Sequence, residues 1–122
     1  MPDKLIPGPD HPITVEPNPA RVVVKAGDRT VADTTRAQVL REASYPPVQY
    51  IPLEDVDLAM LSPTEHRTHC PYKGDASYYS LTVVPDGENA VWVYEEPYDA
   101  VAPIKGHVAF YPDRVEIEEV GG

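Results

Sequence analysis

TTRAQVLREA, residues Thr34–Ala43, is the stretch on which the fold class turns. Ala, Gln, Leu, Arg and Glu all favour a helix, and Thr34 or Thr35 can cap one by accepting a backbone N–H. Yet Ala37, Val39 and Arg41 alternate with polar neighbours, which suits a strand with one buried face. Propensity alone favours the helix.

Working outward, the rest of the chain speaks for β structure. Fifteen prolines among 122 residues are too many for a helical bundle, because each interior proline breaks a helix. They belong at loops, edges and strand starts. Arg21–Lys25 (RVVVK) is short and β-branched, and Gly27-Asp28 signals a turn, so Thr30–Ala32 can return as its partner. SYPPVQYIP is extended, since residues before proline avoid helical geometry. Ser80–Val84 (SLTVV) reads as a strand ended by Pro85-Asp86-Gly87. NAVWVYEEP reads as another, with Val91, Val93 and Glu95 on one face and Trp92 and Tyr94 on the other. GHVAFYPDRVEIEEV reads as a hairpin turning at Pro112-Asp113. Pro52–Leu61 (PLEDVDLAML) reads as the main helix, with acids in its first turn. Residues 1–12 read as an extended proline-rich arm and residues 13–120 as one β-rich domain.

The length fits one domain with its own core. A lone cysteine cannot form an internal disulfide, which points to a reducing, cytoplasmic setting. The start is not a basic-then-apolar leader, and no apolar run approaches the ~20 residues of a membrane span. Twenty acidic against ten basic residues give a formal charge of −10, a field that repels phosphate backbones and disfavours nucleic acid as partner.

His66–Gly74 (HRTHCPYKG) contains the only cysteine, two of the four histidines and Lys73. From Thr64 to Asp75 the charges balance, Glu65 and Asp75 against Arg67 and Lys73, so within an acidic chain this stretch can attract a small anion. As a metal site, His66, His69, Cys70 and a distant His107 fall short of the paired cysteines of structural zinc, and no metal or other cofactor is expected. As a nucleophile, Cys70 gains from a nearby Lys73 or histidine that favours the thiolate. As a structural residue, Cys70 is a small buried hydrophobe. Neither a phosphate-binding glycine loop nor a serine elbow occurs. The eight tyrosines could line a pocket, but most read as core or rim residues with satisfied hydroxyls.

VADTTRAQVLRE, PPVQYIPLEDVDLAML, THCPYKGDASYYS, AVWVYEEP and IKGHVAFYPDRVEIE follow one another as in the family called domain of unknown function 427, from His11 to Glu119. CPYKG followed by GHVAFY carries most of the specificity. Tyr79 stands where that family often has tryptophan. The resemblance implies a mainly β domain with one short helix, similar in fold to methionine sulfoxide reductase B and a zinc-binding guanine-exchange chaperone. It also implies that TTRAQVLRE is a strand, against propensity. A nucleotidyltransferase label sometimes attached to the family finds no support here: no Gly-Ser loop with a following Asp-x-Asp is present to hold magnesium and a triphosphate.

These readings lead to one expectation. The CPYKG turn lines a small pocket for a polar or anionic metabolite, with Cys70, Lys73 and His107 as its reactive groups and Tyr50 and Trp92 as walls. A cysteine- or lysine-dependent enzyme is the alternative, and a structural or protein-interaction domain the third.

Overall fold

TTRAQVLREA is not a helix. In the computed structural model, which describes residues 5–120, Gln38–Glu42 is a strand hydrogen-bonded on both sides. Ten strands occur among the described residues: β1 Ile13–Pro17, β2 Arg21–Ala26, β3 Arg29–Thr34, β4 Gln38–Glu42, β5 Val48–Pro52, β6 Leu61–Cys70, β7 Gly74–Leu81, β8 Val91–Tyr94, β9 His107–Phe110 and β10 Glu116–Val120. Seven form one sheet in the order β1-β4-β5-β9-β8-β7-β6, and three form a second in the order β10-β2-β3. Every pairing is antiparallel. Backbone pairing with β1 and β5 supplies what a helix at β4 would have made for itself, and Val39 and Leu40, on opposite faces, are both buried. Propensity yields to that context.

Alternation along the central strands sorts two cores. Ile51, Val91, Val93, Val108 and Phe110 face the second sheet and meet Val22, Val24 and Val31 in an aliphatic cluster. Their neighbours Tyr50, Tyr94 and Ala109 face the other way, joining Leu40, Ala76 and Tyr78 in a tyrosine-rich cluster. Val101 and Ile104, from a 3-10 segment at Asp99–Ile104 that the sequence did not announce, cover part of that second face.

Two readings need correction. Pro52–Leu61 is not one helix but two 3-10 turns, Leu53–Asp55 and Leu58–Met60. Val56 between them is extended and buried, bridging Ala32, and the Asp57 N–H donates to the Val31 carbonyl at 2.7 Å. The apolar positions bury better by docking on β3 than by closing a helical turn. Nor do HVAFY and RVEIEEV form a hairpin. β9 lies between β5 and β8, whereas β10 pairs with β2 in the other sheet. The Pro112-Asp113 turn carries the chain from one sheet to the other, and Ile117 then packs on the aliphatic core.

The HRTHCPYKG stretch is mostly strand as well. His66–Cys70 end the long β6, and only Pro71–Lys73 turn before Gly74 opens β7. Gly74 has φ +115°, which favours glycine, and the Glu96 carbonyl would lie 3.4 Å from an added Cβ. β7 itself runs Gly74–Leu81, so the strand expected at Ser80–Val84 is displaced toward the N-terminus and Thr82–Val84 lie in a turn region. No helix among the described residues is long and apolar enough to cross a membrane.

Candidate functional site: a tyrosine-lined cavity

A side-chain contact joins the β6–β7 turn to the end of β4 across the sheet. There the Lys73 ammonium donates to Glu42 Oε1 at 2.5 Å, and His11 Nε2 sits 2.7 Å from Glu42 Oε2. His11 comes from the proline-rich arm and stacks on Tyr72 at 4.0 Å between ring centroids, 7° from parallel. The Leu5 N–H donates to the Pro71 carbonyl at 2.8 Å. The described part of the arm is thus laid across the turn. Glu42, Lys73 and His11 tie strands near opposite ends of the seven-stranded sheet together over its tyrosine-bearing face.

Beneath this tie lies a cavity of about 220 Å³, walled by Leu40, Val48, Trp92 and the tyrosines 50, 78, 94 and 111, with Lys73 and Glu42 at its edge. Trp92 Nε1–H donates to the Tyr50 hydroxyl oxygen at 3.2 Å, and the indole is tilted over Tyr111 at 4.7 Å. The Tyr78 hydroxyl and Thr68 Oγ1 are hydrogen-bonded at 2.9 Å. Tyr50 is 1% exposed, and its own proton has no acceptor among the described residues. Tyr94 is 6% exposed, and its hydroxyl has no hydrogen-bond partner among them. No buried polar side-chain atom there is both sealed off and unpaired, so the Tyr94 hydroxyl opens on space rather than on protein. That space is the cavity it lines.

Electrostatics keep these hydroxyls as donors. Burial pushes the phenols of Tyr50 and Tyr94 well above the ordinary tyrosine value; at Tyr50 the Trp92 hydrogen bond opposes this without cancelling it, and Glu42, Cys70 and Tyr78 add to the rise at both. Burial, then the neighbouring Tyr78, raises Tyr111. Burial also works against ionisation of Glu42, but hydrogen bonds and charge from Lys73 and His11 outweigh it and lower the carboxyl below its usual value. Glu42 therefore stays ionised and offsets the charge of Lys73. The cavity offers O–H donors in a nearly charge-balanced setting.

Lys73, Tyr50 and Trp92 line this one cavity. Cys70 is half-buried at the end of β6, packs against the tyrosine cluster and is not among the lining residues. His107 also lies outside it: at the start of β9 its Nδ1–H donates to the Lys105 carbonyl at 2.8 Å. His66 packs edge-on against Tyr78 at 4.5 Å, and His69 Nδ1 is 2.6 Å from Asp75. Among the described residues no three His, Cys, Asp or Glu side chains are grouped to hold a metal ion. Glu42, Tyr78, Tyr94, Tyr111 and His11 escaped selection from the sequence. Glu42 is one of twenty acidic residues, and nothing local marks its pairing with groups 31 positions away on either side.

Residues 14–121 match the family model described as a domain of unknown function, DUF427. The chain belongs to that family. The matched span of this DUF427 protein includes every residue lining the cavity, whereas His11 precedes it. The family carries an NTP-transferase label. No curated protein matches the chain.

Proposed function

We propose that this DUF427 domain binds a small polar metabolite in the tyrosine-lined cavity beside the CPYKG turn. The observation that carries this is the Tyr94 hydroxyl, which opens on the cavity without a protein partner among the described residues, with the unspent Tyr50 proton beside the same cavity. A hydroxyl that opens on a cavity takes its acceptor from whatever fills that space, so an entering ligand can replace water there. The bound group is then a hydrogen-bond acceptor such as a carbonyl oxygen. The Glu42–Lys73 pairing favours a neutral or zwitterionic molecule over a plain anion. It narrows the polar-or-anionic expectation, because the lysine charge is already matched and Glu42 would repel a carboxylate at close range. Likeness of fold to methionine sulfoxide reductase B and the guanine-exchange chaperone belongs to this proposal and is supported by the two antiparallel sheets. A cytoplasmic setting fits the lone cysteine.

Titration with butanamide, followed by two-dimensional NMR, tests the reading. Saturable shifts confined to Tyr50, Tyr78, Trp92 and Tyr94 are expected, and Tyr94→Phe should weaken them about tenfold, the scale of one hydrogen bond to a buried partner. Absence of saturable shifts, or an affinity unchanged in Tyr94→Phe, rejects it.

A further inference from the structure

The cavity does not end at Trp92. A groove of about 510 Å³ continues from it, sharing Glu42, Tyr45, Pro46, Val48 and Trp92 and adding Pro47, Gln49, Phe110, Pro112 and Ile117. It runs where the two sheets meet: Val48, Trp92 and Phe110 come from the first, Ile117 from β10 of the second. The chain crossing at Pro112-Asp113, which the sequence presents as a hairpin turn, is what brings Ile117 to this wall.

The two spaces differ in chemistry. The cavity holds hydroxyls and an ion pair. Among the described residues that line the groove the only charged one is Glu42, at the shared boundary. Trp92 divides them: its indole N–H is spent on Tyr50, and it lines both spaces. Three prolines, Pro46, Pro47 and Pro112, stiffen the groove, so little side-chain freedom is lost when it is filled. Size matters too. Ligand pockets run to roughly 300–1,000 Å³, and the cavity alone, at about 220 Å³, falls short of that while the groove brings it in.

We propose, building on the binding function above, that the ligand is amphipathic: a neutral carbonyl head enters the tyrosine cavity, and an alkyl or aryl tail lies along the proline- and Ile117-lined groove. Medium-chain amides, esters and ketones are the class that satisfies both ends. A free fatty acid fits less well, because its carboxylate would meet the Glu42 carboxylate.

A series of straight-chain primary amides from butanamide to octanamide tests this, read by the fluorescence of Trp92, the chain's single tryptophan, with NMR shifts as a second signal. Each added methylene that enters the groove should tighten binding about fourfold, the equivalent of ~0.8 kcal/mol per buried CH₂. Ile117→Asp should flatten that dependence and leave butanamide within about twofold of the parent. Should Ile117→Asp fail to fold by circular dichroism, Pro47→Asp serves, since Pro47 is exposed and lines the groove but not the cavity. Tyr94→Phe should weaken every member by a similar factor. Equal affinity across the series overturns the amphipathic inference while leaving the short-head binding in place. Failure of all members to bind overturns both. A chain-length dependence that is undiminished in Ile117→Asp or Pro47→Asp places the tail elsewhere and overturns it as well.

Discussion

The two faces of the central strands are built from alternate residues of the same segments, yet they do opposite things. On one face Ile51, Val91, Val93 and Val108 are fully buried against the second sheet. On the other Tyr50, Trp92 and Tyr94, one residue along in each case, surround a cavity. Aliphatic side chains interdigitate and leave nothing unpaired. Tyrosines bury as much surface but bring a hydroxyl that needs a partner. A sheet can thus keep close aliphatic packing on one face and hydrogen-bonding groups around a cavity on the other.

The largest effect should come from damaging the aliphatic face. Ile51→Ala empties a site with 0% exposure and should destabilise by about 2–5 kcal/mol in urea unfolding. A loss below 1 kcal/mol would mean that this face is not the one that holds the fold. On the tyrosine face the same unfolding assay should separate two phenols. Tyr50→Phe removes the acceptor of the Trp92 indole N–H and should lower stability by about 1 kcal/mol. Tyr94→Phe removes an unpaired hydroxyl and should leave stability unchanged or raised by a few tenths of a kcal/mol, while ligand binding weakens. Equal losses for both would show that Tyr94 has a structural partner and would dissolve the contrast between the faces.

The ion pair over the cavity should contribute less, because solvent screens it in part. Its pH dependence has a definite sign. The folded Glu42 carboxyl lies below the ordinary glutamate value of about 4.5, so its contribution is present above about pH 4.5 and is lost as pH falls through the folded value. Glu42→Gln should therefore flatten the acid limb of the stability–pH curve relative to the parent. Parallel acid limbs would assign the lowering elsewhere. Smallest of all, Arg21→Ala breaks an exposed pair with Asp33 and should leave the melting temperature unmoved within error.

Legibility of this chain followed the range of the interactions. The valine-rich β2, the Gly27 turn, and the split of Val91 and Val93 from Trp92 and Tyr94 are local patterns with period two, and they stand in the structure as read. Tyr50, Lys73 and Trp92 could be singled out because few groups in the chain carry chemistry. His107 was singled out on the same ground, yet its position along β9 leaves it beside Lys105 and off the cavity wall. Glu42 carried no mark, since its partners come from the arm and from a distant hairpin.

Composition and alternation alone determined that this protein is mainly β, where its valines bury and which strand face carries its aromatic residues, because side-chain direction along a strand follows from neighbouring residues only. Tertiary structure decided the rest. It made Gln38–Glu42 within TTRAQVLREA a strand by offering backbone partners on both sides, and it broke PLEDVDLAML into two turns by docking Val56 on β3. It sent RVEIEEV to the second sheet to cover the aliphatic core, and it closed Lys73 onto Glu42 above an unpaired tyrosine. Each of these outcomes depends on which surfaces meet after the chain has folded, and propensity differences below about 1 kcal/mol per residue do not withstand the burial of a whole strand.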